Sequence, residues 1–393
     1  MIVAGESSGE LYGSFLSHAL RAMWPEVRLI GMGGERMRDA GVELFSGISS
    51  SLGLTETFSS IKALRESFAK ASAILRKIDP DVVVLIDYPD FNFRIARIAK
   101  RHGKKVLYYV SPQVWAWRKR RIKTMGEIAD KVALILPFEE AIYENAGVPC
   151  EFVGHPVMEE IEELERTKMH EMEHLRSGSG AHPPTISLLP GSRPQELKRL
   201  LPVFTDFVEV CSREFPGTRF LVPLAQNIAA SQFRDHTSAL ERMGVVFMRG
   251  DALKALLLSD MAVIASGTAT LQSALLGTPQ IVVYKVSPLT YLIGKRILDV
   301  THISLVNIIA GKEVVPELIQ HAVTTNNIME QSKRILYDER YRESMISSFR
   351  EIRKLFSGRQ PSRRVAQIIG NMTGWESTKA EEVRPSDVHR GNA

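Results

Sequence analysis

Short apolar runs alternate with segments of helical periodicity along the first half of the chain. Segment 11–23, for example, repeats apolar residues at spacings of three and four, which is typical of an amphipathic helix. The apolar runs that we predict to be strands cover 2–4, 27–30, 82–86, 106–110, 132–136 and 152–153. Because strands and helices alternate, we expect a parallel sheet covered by helices on both faces.

The second half repeats this pattern, which indicates a second α/β domain. Its predicted strands cover 186–189, 219–222, 245–248, 261–265 and 281–284. Residues 166–184 are first charged and then rich in Ser, Gly and Pro, as in a linker. We therefore predict two doubly wound, Rossmann-like domains, 1–165 and 185–360, whose strands end at a shared cleft. The polar tail, 374–393, lacks periodicity and is predicted to be disordered.

Composition narrows the classes of function. The length of 393 residues favours two domains, and no apolar run approaches the roughly 18–20 residues that a membrane span needs. The N-terminus lacks the basic and long apolar regions of a signal peptide. Cys150 and Cys211 are isolated thiols without metal-ligand spacing, which favours a reducing cytoplasm. The formal net charge of +5 suits an anionic partner: a nucleotide, a phosphorylated lipid, a membrane surface or a nucleic acid.

Two carboxylates follow the predicted strand 82–86. Asp87 comes directly after the last apolar position, so its side chain is expected to point into the cleft. Asp90 precedes a helix-period segment, as an N-cap residue does. An alternative is that both acids merely end the strand and cap the helix. We favour a functional role for Asp87 and a capping role for Asp90.

Glycine-containing turns between a strand and a helix are candidate anion sites. The turn at 5–9 (GESSG) matches the nucleophile elbow of serine hydrolases, but it follows the first strand, so we reject that class. The turn at 190–193 (PGSR) ends in an arginine that can bind a phosphate through two hydrogen bonds. The turn at 266–268 (SGT) opens a helix whose dipole favours an anion, and Gln272 lies one turn further along. Two such turns in one domain predict a diphosphate site, whereas bound NAD or ATP is not expected because neither fingerprint is present.

A set of longer motifs extends over residues 2–369. It comprises AGESSGE, LIDYPDFNFRIA, YYVSPQVWAWRKRRIK, LILPFEE, FVGHP, SLLPGSR, ASGTATLQSALLGTP and SLVNIIAGKEVVPELIQ. These motifs resemble those of the lipid-A-disaccharide synthase family, inverting glycosyltransferases of GT-B architecture. The pair VSPQVWAWR and IDYPDFN is highly specific, whereas SGTATL is shared more broadly among sugar-nucleotide enzymes.

The resemblance implies which reaction the chain catalyses and which substrate each domain binds. UDP-2,3-diacylglucosamine donates its sugar to 2,3-diacylglucosamine 1-phosphate, which gives a β-1,6-linked lipid A disaccharide phosphate and UDP. The acceptor is expected in the N-terminal domain and UDP in the C-terminal domain, with a last helix at about 361–372 crossing back to the first domain. Asp87 matches the essential aspartate and is predicted to be the general base. The residues expected at the nucleotide are Gly191, Ser192, Arg193, Ser266, Gly267, Thr268 and Gln272, and those at the acceptor or its lipid are Ser8, Gly9, Trp115, Trp117, Arg118 and Asn307.

Three positions depart from the family pattern. The family usually has Asp where this chain has Glu10, Glu where it has Gln272, and Pro where it has Val306. Position 272 is the one expected to hold the ribose hydroxyls, and glutamine retains hydrogen bonding there without the negative charge. No acidic or His cluster adjoins the phosphate turns, so we expect neither a metal ion nor a cofactor.

Two surface features favour a lipid partner. The basic run at 115–123 contains two tryptophans, and we favour binding to anionic lipid over stacking on a nucleic acid or a plain solvated helix start. A stripe of apolar residues either packs on the sheet or dips into a bilayer: Leu54, Phe58, Ile61, Leu64 and Phe68. We therefore expect a cytoplasmic protein, peripheral on the inner face of the inner membrane. The sequence leaves open whether the chain forms a homodimer.

Two other functions remain open from the sequence. One is a UDP-sugar epimerase on the same scaffold, which would need no lipid-facing surface. The other is a non-catalytic binder of anionic lipid or nucleic acid that uses the basic run. Release of UDP that depends on an acylated acceptor separates the synthase from both.

Overall fold

The computed structural model describes residues 1–47, 58–113, 120–176, 183–225, 228, 230–288, 290–292 and 301–376. The elements of the first half are β1 (Ile2–Ala4), α1 (Ser7–Met23), β2 (Ile30–Gly33), α2 (Glu35–Asp39), β3 (Glu43–Gly47), α3 (Phe58–Lys77), β4 (Val82–Ile86), α4 (Pro89–Arg101), β5 (Lys105–Tyr109), α5 (Arg120–Ile128), β6 (Lys131–Leu134), α6 (Glu139–Glu144) and β7 (Cys150–Phe152). Helix α7 (Val157–Arg176) follows β7 and leads from the first half to the second. The elements of the second half are β8 (Thr185–Leu189), α8 (Pro194–Glu214), β9 (Arg219–Leu224), α9 (Arg234–Arg242), β10 (Val246–Arg249), α10 (Ala252–Leu257), β11 (Met261–Ala265), α11 (Thr268–Leu276), β12 (Gln280–Tyr284), α12 (Leu305–Ala310), β13 (Glu317–Ile319), α13 (Thr325–Tyr337), α14 (Glu339–Phe356) and α15 (Pro361–Thr373).

Each half contains one sheet of parallel strands. The first sheet has the order β3-β2-β1-β4-β5-β6-β7 and the second the order β10-β9-β8-β11-β12-β13. The strand order reverses between β1 and β4 in the first sheet and between β8 and β11 in the second. In doubly wound sheets such switch points open a crevice at the carboxyl ends of the strands, where ligands bind. The predicted fold of two doubly wound parallel sheets is confirmed.

The central strands carry the core. All five residues of β4, β8 and β11 are buried, because helices cover both faces of a parallel sheet. The first-sheet strand predicted at 27–30 lies instead at Ile30–Gly33. The strands β3 and β13 were not predicted, because these edge strands are only partly buried and lack an apolar run.

The last helix crosses back to the first domain. Helix α15 packs against α1, β4 and β5. At its first turn, the backbone N–H and the hydroxyl of Ser362 both donate to the Glu159 carboxylate, at 2.8 and 2.6 Å. The segment interpreted as a linker is helical up to Arg176, since α7 extends that far, and residues 177–182 lie outside the described residues.

The chain continues to make contacts beyond the point where the tail was predicted to begin. The rings of Trp375 and Trp24 meet edge to face with centroids 5.4 Å apart, and Trp24 Nε1 donates to the Glu376 carbonyl at 3.0 Å. The rest of the predicted tail, 377–393, lies outside the described residues. Among the helices that the structure describes, none combines the length and the apolar character that crossing a bilayer requires.

Candidate active site

Asp87 occupies an unusual turn at the switch point of the first sheet. Asp87 and Tyr88 both have positive φ angles, 45° and 48°, which non-glycine residues adopt rarely. The backbone N–H of Asp87 donates to the Tyr109 carbonyl at 3.1 Å. The Asp87 carbonyl accepts two hydrogen bonds of 2.7 Å, from the Tyr108 hydroxyl and the Asn92 amide. A strained turn persists only where its surroundings hold it, so these contacts position the carboxylate.

Asn92 is a positioning residue that the sequence reasoning missed. It is fully buried in α4, and its Nδ2 also donates to the Ile86 carbonyl at 3.1 Å. The amide therefore ties the end of β4 to the first turn of the following helix. The sequence did contain a signal for this role: Asn92 places a polar amide on the apolar face of the predicted helix, two residues after Asp90.

Gly5 lies against the same turn. A Cβ atom at position 5 would stand 2.3 Å from Cδ1 of Tyr88, so only glycine allows the ring to lie on this backbone. The Tyr88 ring stacks on Phe91 with centroids 5.5 Å apart. The turn at 5–9 thus has a packing role at the base of the cleft.

The Asp87 carboxylate carries an altered pKa. Burial and, to a smaller extent, the negative charge of Glu6 raise this pKa to about 7, although the hydrogen bond from the Tyr88 N–H and the charge of Arg193 act in the opposite direction. Glu6 belongs to the first sheet and Arg193 to the second, yet Glu6 Oε2 lies 3.9 Å from an Arg193 guanidinium nitrogen. The two switch points therefore face each other, and the base candidate titrates near neutrality.

The predicted phosphate turn before α8 is held by a glutamate that the sequence reasoning did not single out. One carboxylate oxygen of Glu196 accepts from the backbone N–H groups of Ser192 and Arg193, at 3.1 and 3.2 Å. Gly191 has a φ of 103°, and a Cβ there would collide with the same oxygen. A Glu three residues after a helix N-cap is a recognised capping pattern and could have indicated this role.

The second predicted phosphate turn precedes α11. The Ser266 hydroxyl donates to the Ile303 carbonyl at 2.8 Å, Gly267 is the N-cap residue, and Thr268 begins the helix. Gln272 lies one turn further and donates through Nε2 to a Glu160 oxygen at 3.1 Å. Gln272 therefore faces α7 across the junction of the two halves.

Of the other predicted contacts, Gly9 lies at the end of β4. Ser8 and Gly9 are in the first turn of α1, where Gly9 packs on Ile86. Asn307 is fully buried, and its amide makes four hydrogen bonds to the 314–317 segment. The structure thus gives Asn307 the role of holding that loop.

Asp90 does not cap α4, and the predicted capping role is wrong. The helix begins at Pro89, so the cap position falls on Tyr88. The exposed Asp90 carboxylate lies 3.0 Å from an Arg121 nitrogen. Proline is common at the first helical position, and Pro89 was the signal that placed the helix start one residue earlier.

The predicted lipid contacts fall largely outside the described residues. Trp115, Trp117, Arg118 and Leu54 lie there entirely, as do the side chains of Phe58, Ile61 and Leu64 at the start of α3. Phe68 is half-buried, and its ring meets Phe91 edge to face at 6.0 Å. Within the described part of the chain, no group of three or more His, Cys, Asp or Glu side chains is placed to hold a metal ion. Independence from metal stays a prediction.

Two doubly wound domains whose switch points face each other have the architecture of GT-B glycosyltransferases. Solved structures share it at low sequence identity. A putative UDP-N-acetylglucosamine 2-epimerase from Listeria monocytogenes has a TM-score of 0.67 at 12% identity, covering 96% of this chain and 97% of that one. The calicheamicin glycosyltransferase CalG4 has a TM-score of 0.58 at 14% identity, covering 95% and 98%. These likenesses concern the fold.

Sequence comparison then identifies the family. The family model described as lipid-A-disaccharide synthetase matches residues 1–368. Lipid-A-disaccharide synthase from Syntrophus aciditrophicus is 43% identical over 86% of this chain and 88% of its own length, and that from Geobacter sulfurreducens is 39% identical over 95% and 97%. The chain belongs to the lipid-A-disaccharide synthase family. It is a hexosyltransferase of lipid A biosynthesis, which confirms the predicted function over the epimerase and the non-catalytic binder.

Proposed function

We propose that the chain transfers the sugar of UDP-2,3-diacylglucosamine to the 6-hydroxyl of 2,3-diacylglucosamine 1-phosphate by direct displacement with inversion. The observation that carries this proposal is the position of Asp87. Its carboxylate lies at the switch point of the first sheet, has a pKa of about 7, and faces the Arg193 turn of the second sheet. A general base works best when its pKa lies near the working pH.

The donor is proposed to bind in the second domain. Its diphosphate meets the Arg193 guanidinium and the N-terminal end of α11, whose dipole favours negative charge. As the bond between the anomeric carbon and the phosphate oxygen breaks, charge grows on the leaving UDP. Preorganised cationic and N–H groups stabilise such charge more in the transition state than in the ground state.

The acceptor is proposed to bind in the first domain beside Asp87. The 6-hydroxyl oxygen forms the new bond to the anomeric carbon, its proton passes to the Asp87 carboxylate, and UDP departs from the opposite face. The ring of Phe68 contacts Phe91, which stacks on Tyr88, the residue after Asp87. This aromatic set connects α3, the helix that carries most of the apolar stripe, to the base, which suits an acylated acceptor at a membrane surface.

We place the protein at the inner face of the inner membrane as a peripheral protein, because both substrates carry acyl chains. We propose that the basic run 115–123 contacts the anionic head groups and that the apolar stripe contacts the acyl chains. The acceptor 1-phosphate and the bilayer surface are both anionic, which suits the formal net charge of +5.

Product analysis tests the proposed reaction. The chain is incubated with the UDP-sugar donor alone and with donor plus the acylated acceptor, and the products are identified by mass spectrometry. We expect UDP and a disaccharide phosphate only when the acylated acceptor is present. Isomerised UDP-sugar in the sample without acceptor would instead favour an epimerase.

Replacement of Glu6 by Gln is expected to shift the pH dependence of activity. The Glu6 charge raises the pKa of Asp87, so its removal lowers that pKa, and the base becomes deprotonated at lower pH. The acidic limb of the kcat/KM profile should therefore move to lower pH in Glu6→Gln. Glu35→Gln, at an exposed position in α2, is the control and should leave the limb in place. An unmoved limb in Glu6→Gln would show that Glu6 does not act on the base.

A further inference from the structure

Glu160 is a carboxylate with an unusual environment. It lies in the first turns of α7, is half-buried, and has a pKa that burial raises. Among the described residues, no Lys or Arg nitrogen lies within salt-bridge distance, and its side-chain hydrogen-bond partner is Gln272 Nε2 at 3.1 Å. Arg36 and Asp251 act on it only through longer-range charge. A desolvated carboxylate of this kind has acceptor capacity that one amide does not fill.

Through its hydrogen bond to Gln272, Glu160 is connected to the helix that begins at the second predicted phosphate turn. Its partner Gln272 lies one turn inside α11, the helix that begins at the Gly267 turn. Burial raises the pKa of the Tyr12 hydroxyl and the charges of Glu160 and Asp87 raise it further, so both carboxylates lie within electrostatic range of that residue. Glu160 and Gln272 thus form a pair at the junction of the domains, behind the proposed diphosphate turn.

We propose that Glu160 and Gln272 together bind the vicinal ribose hydroxyls of the nucleotide, with Glu160 as the accepting carboxylate. This inference rests on the proposed binding of a UDP-sugar in the second domain. A carboxylate only accepts hydrogen bonds, and a vicinal diol offers two neutral donors that need no counter-charge. Gln272 has the neutral side chain, so the negative group of the ribose site comes from α7.

A ribose site of this kind makes the protein selective for ribonucleotides. A pocket that hydrogen-bonds a hydroxyl discriminates strongly against the analogue without it, because its polar groups are then left unpaired. A purely structural bridge between α7 and α11 would show no such selectivity. The two roles therefore differ in their response to the 2′-hydroxyl.

Calorimetry with UDP and 2′-deoxy-UDP tests the proposal on the full chain. Wild type should bind UDP more tightly than 2′-deoxy-UDP by on the order of tenfold, as expected for a hydrogen bond to a charged group. Glu160→Gln should lose on the order of tenfold in UDP affinity and bind the two nucleotides about equally. Glu162→Gln, at an exposed position of the same helix, should behave as wild type.

An exchange variant keeps the test decisive. Gln272→Glu alone places a second carboxylate beside Glu160, and the like charges should weaken UDP binding. The double variant Glu160→Gln/Gln272→Glu restores one carboxylate and one amide, and should recover the preference for UDP. Unchanged UDP affinity and unchanged selectivity in Glu160→Gln would overturn the ribose role. Absence of UDP binding by folded wild type would overturn the proposed function as well, so the two failures are distinguishable.

Discussion

Replacement of Asp87 by Asn is expected to lower kcat by roughly 10²–10⁴-fold, the usual cost of removing a positioned base. Asparagine is close in shape, so the backbone contacts that hold the turn should remain. Affinity for UDP should stay near that of wild type, because the nucleotide is proposed to bind in the other domain. Steady-state kinetics and calorimetry measure the two quantities.

The stability of Asp87→Asn provides a second readout. The folded pKa of about 7 lies above the ordinary aspartate value of 3.8, so the charged carboxylate destabilises the fold as the pH rises through neutrality. Asparagine has no charge to desolvate, and the melting temperature at about pH 8 should equal or exceed that of wild type. A variant that unfolds or loses UDP binding would give Asp87 a structural or nucleotide role.

Asp90→Ala is the matched control in the same motif. Its carboxylate is exposed and forms an ion pair with Arg121, and such pairs contribute roughly 0–1 kcal/mol. Only small changes in kcat and melting temperature are therefore expected. A collapse of kcat in Asp90→Ala, with activity retained in Asp87→Asn, would show that Asp90 and not Asp87 is the general base.

Replacement of Arg193 by Ala is expected to weaken UDP binding by roughly 10–100-fold, because hydrogen bonds to charged groups contribute about 1.5–3 kcal/mol. The value of kcat should fall in addition, since negative charge grows on the leaving diphosphate. Loss of the Arg193 charge also raises the pKa of Asp87, which moves the acidic limb of the pH profile to higher pH. Calorimetry with UDP and the pH dependence of kcat/KM measure these effects.

Arg193→Lys separates charge from geometry. Lysine keeps the positive charge but cannot form the two parallel hydrogen bonds of a guanidinium. We expect UDP affinity between those of wild type and Arg193→Ala, with an acidic limb close to that of wild type. Unchanged UDP affinity in Arg193→Ala would place the diphosphate elsewhere.

The parts of the fold that could be predicted are those buried on both faces. The strands β4 and β11 appear as continuous apolar runs and β8 as a mostly apolar one. Asp87 directly after β4 and Arg193 four residues after β8 could therefore be placed at the cleft from chain order alone. The edge strands β3 and β13 have no such run, because one side of each faces no neighbouring strand. Periodicity therefore finds the centre of a parallel sheet more easily than its edges.

The contacts that complete the site could not be predicted in the same way. Asn92 reaches the Asp87 carbonyl only because two residues adopt positive φ angles, and no spacing rule encodes that turn. The pairs formed by Glu6 with Arg193 and by Glu160 with Gln272 join residues from different domains. Their proximity depends on how the two sheets face each other, which a pattern along one chain does not contain.

The pH dependence of kcat/KM for the wild-type protein tests the central claim most directly, since this quantity reports the ionisation of the free enzyme. If Asp87 is the base and its pKa is about 7, the rate should rise about tenfold per pH unit below neutrality and level off above it. The midpoint of the rise should lie near pH 7. A rate that is constant from about pH 5 to about pH 8, in a protein that remains folded over this range, would contradict the assignment of Asp87 as the general base.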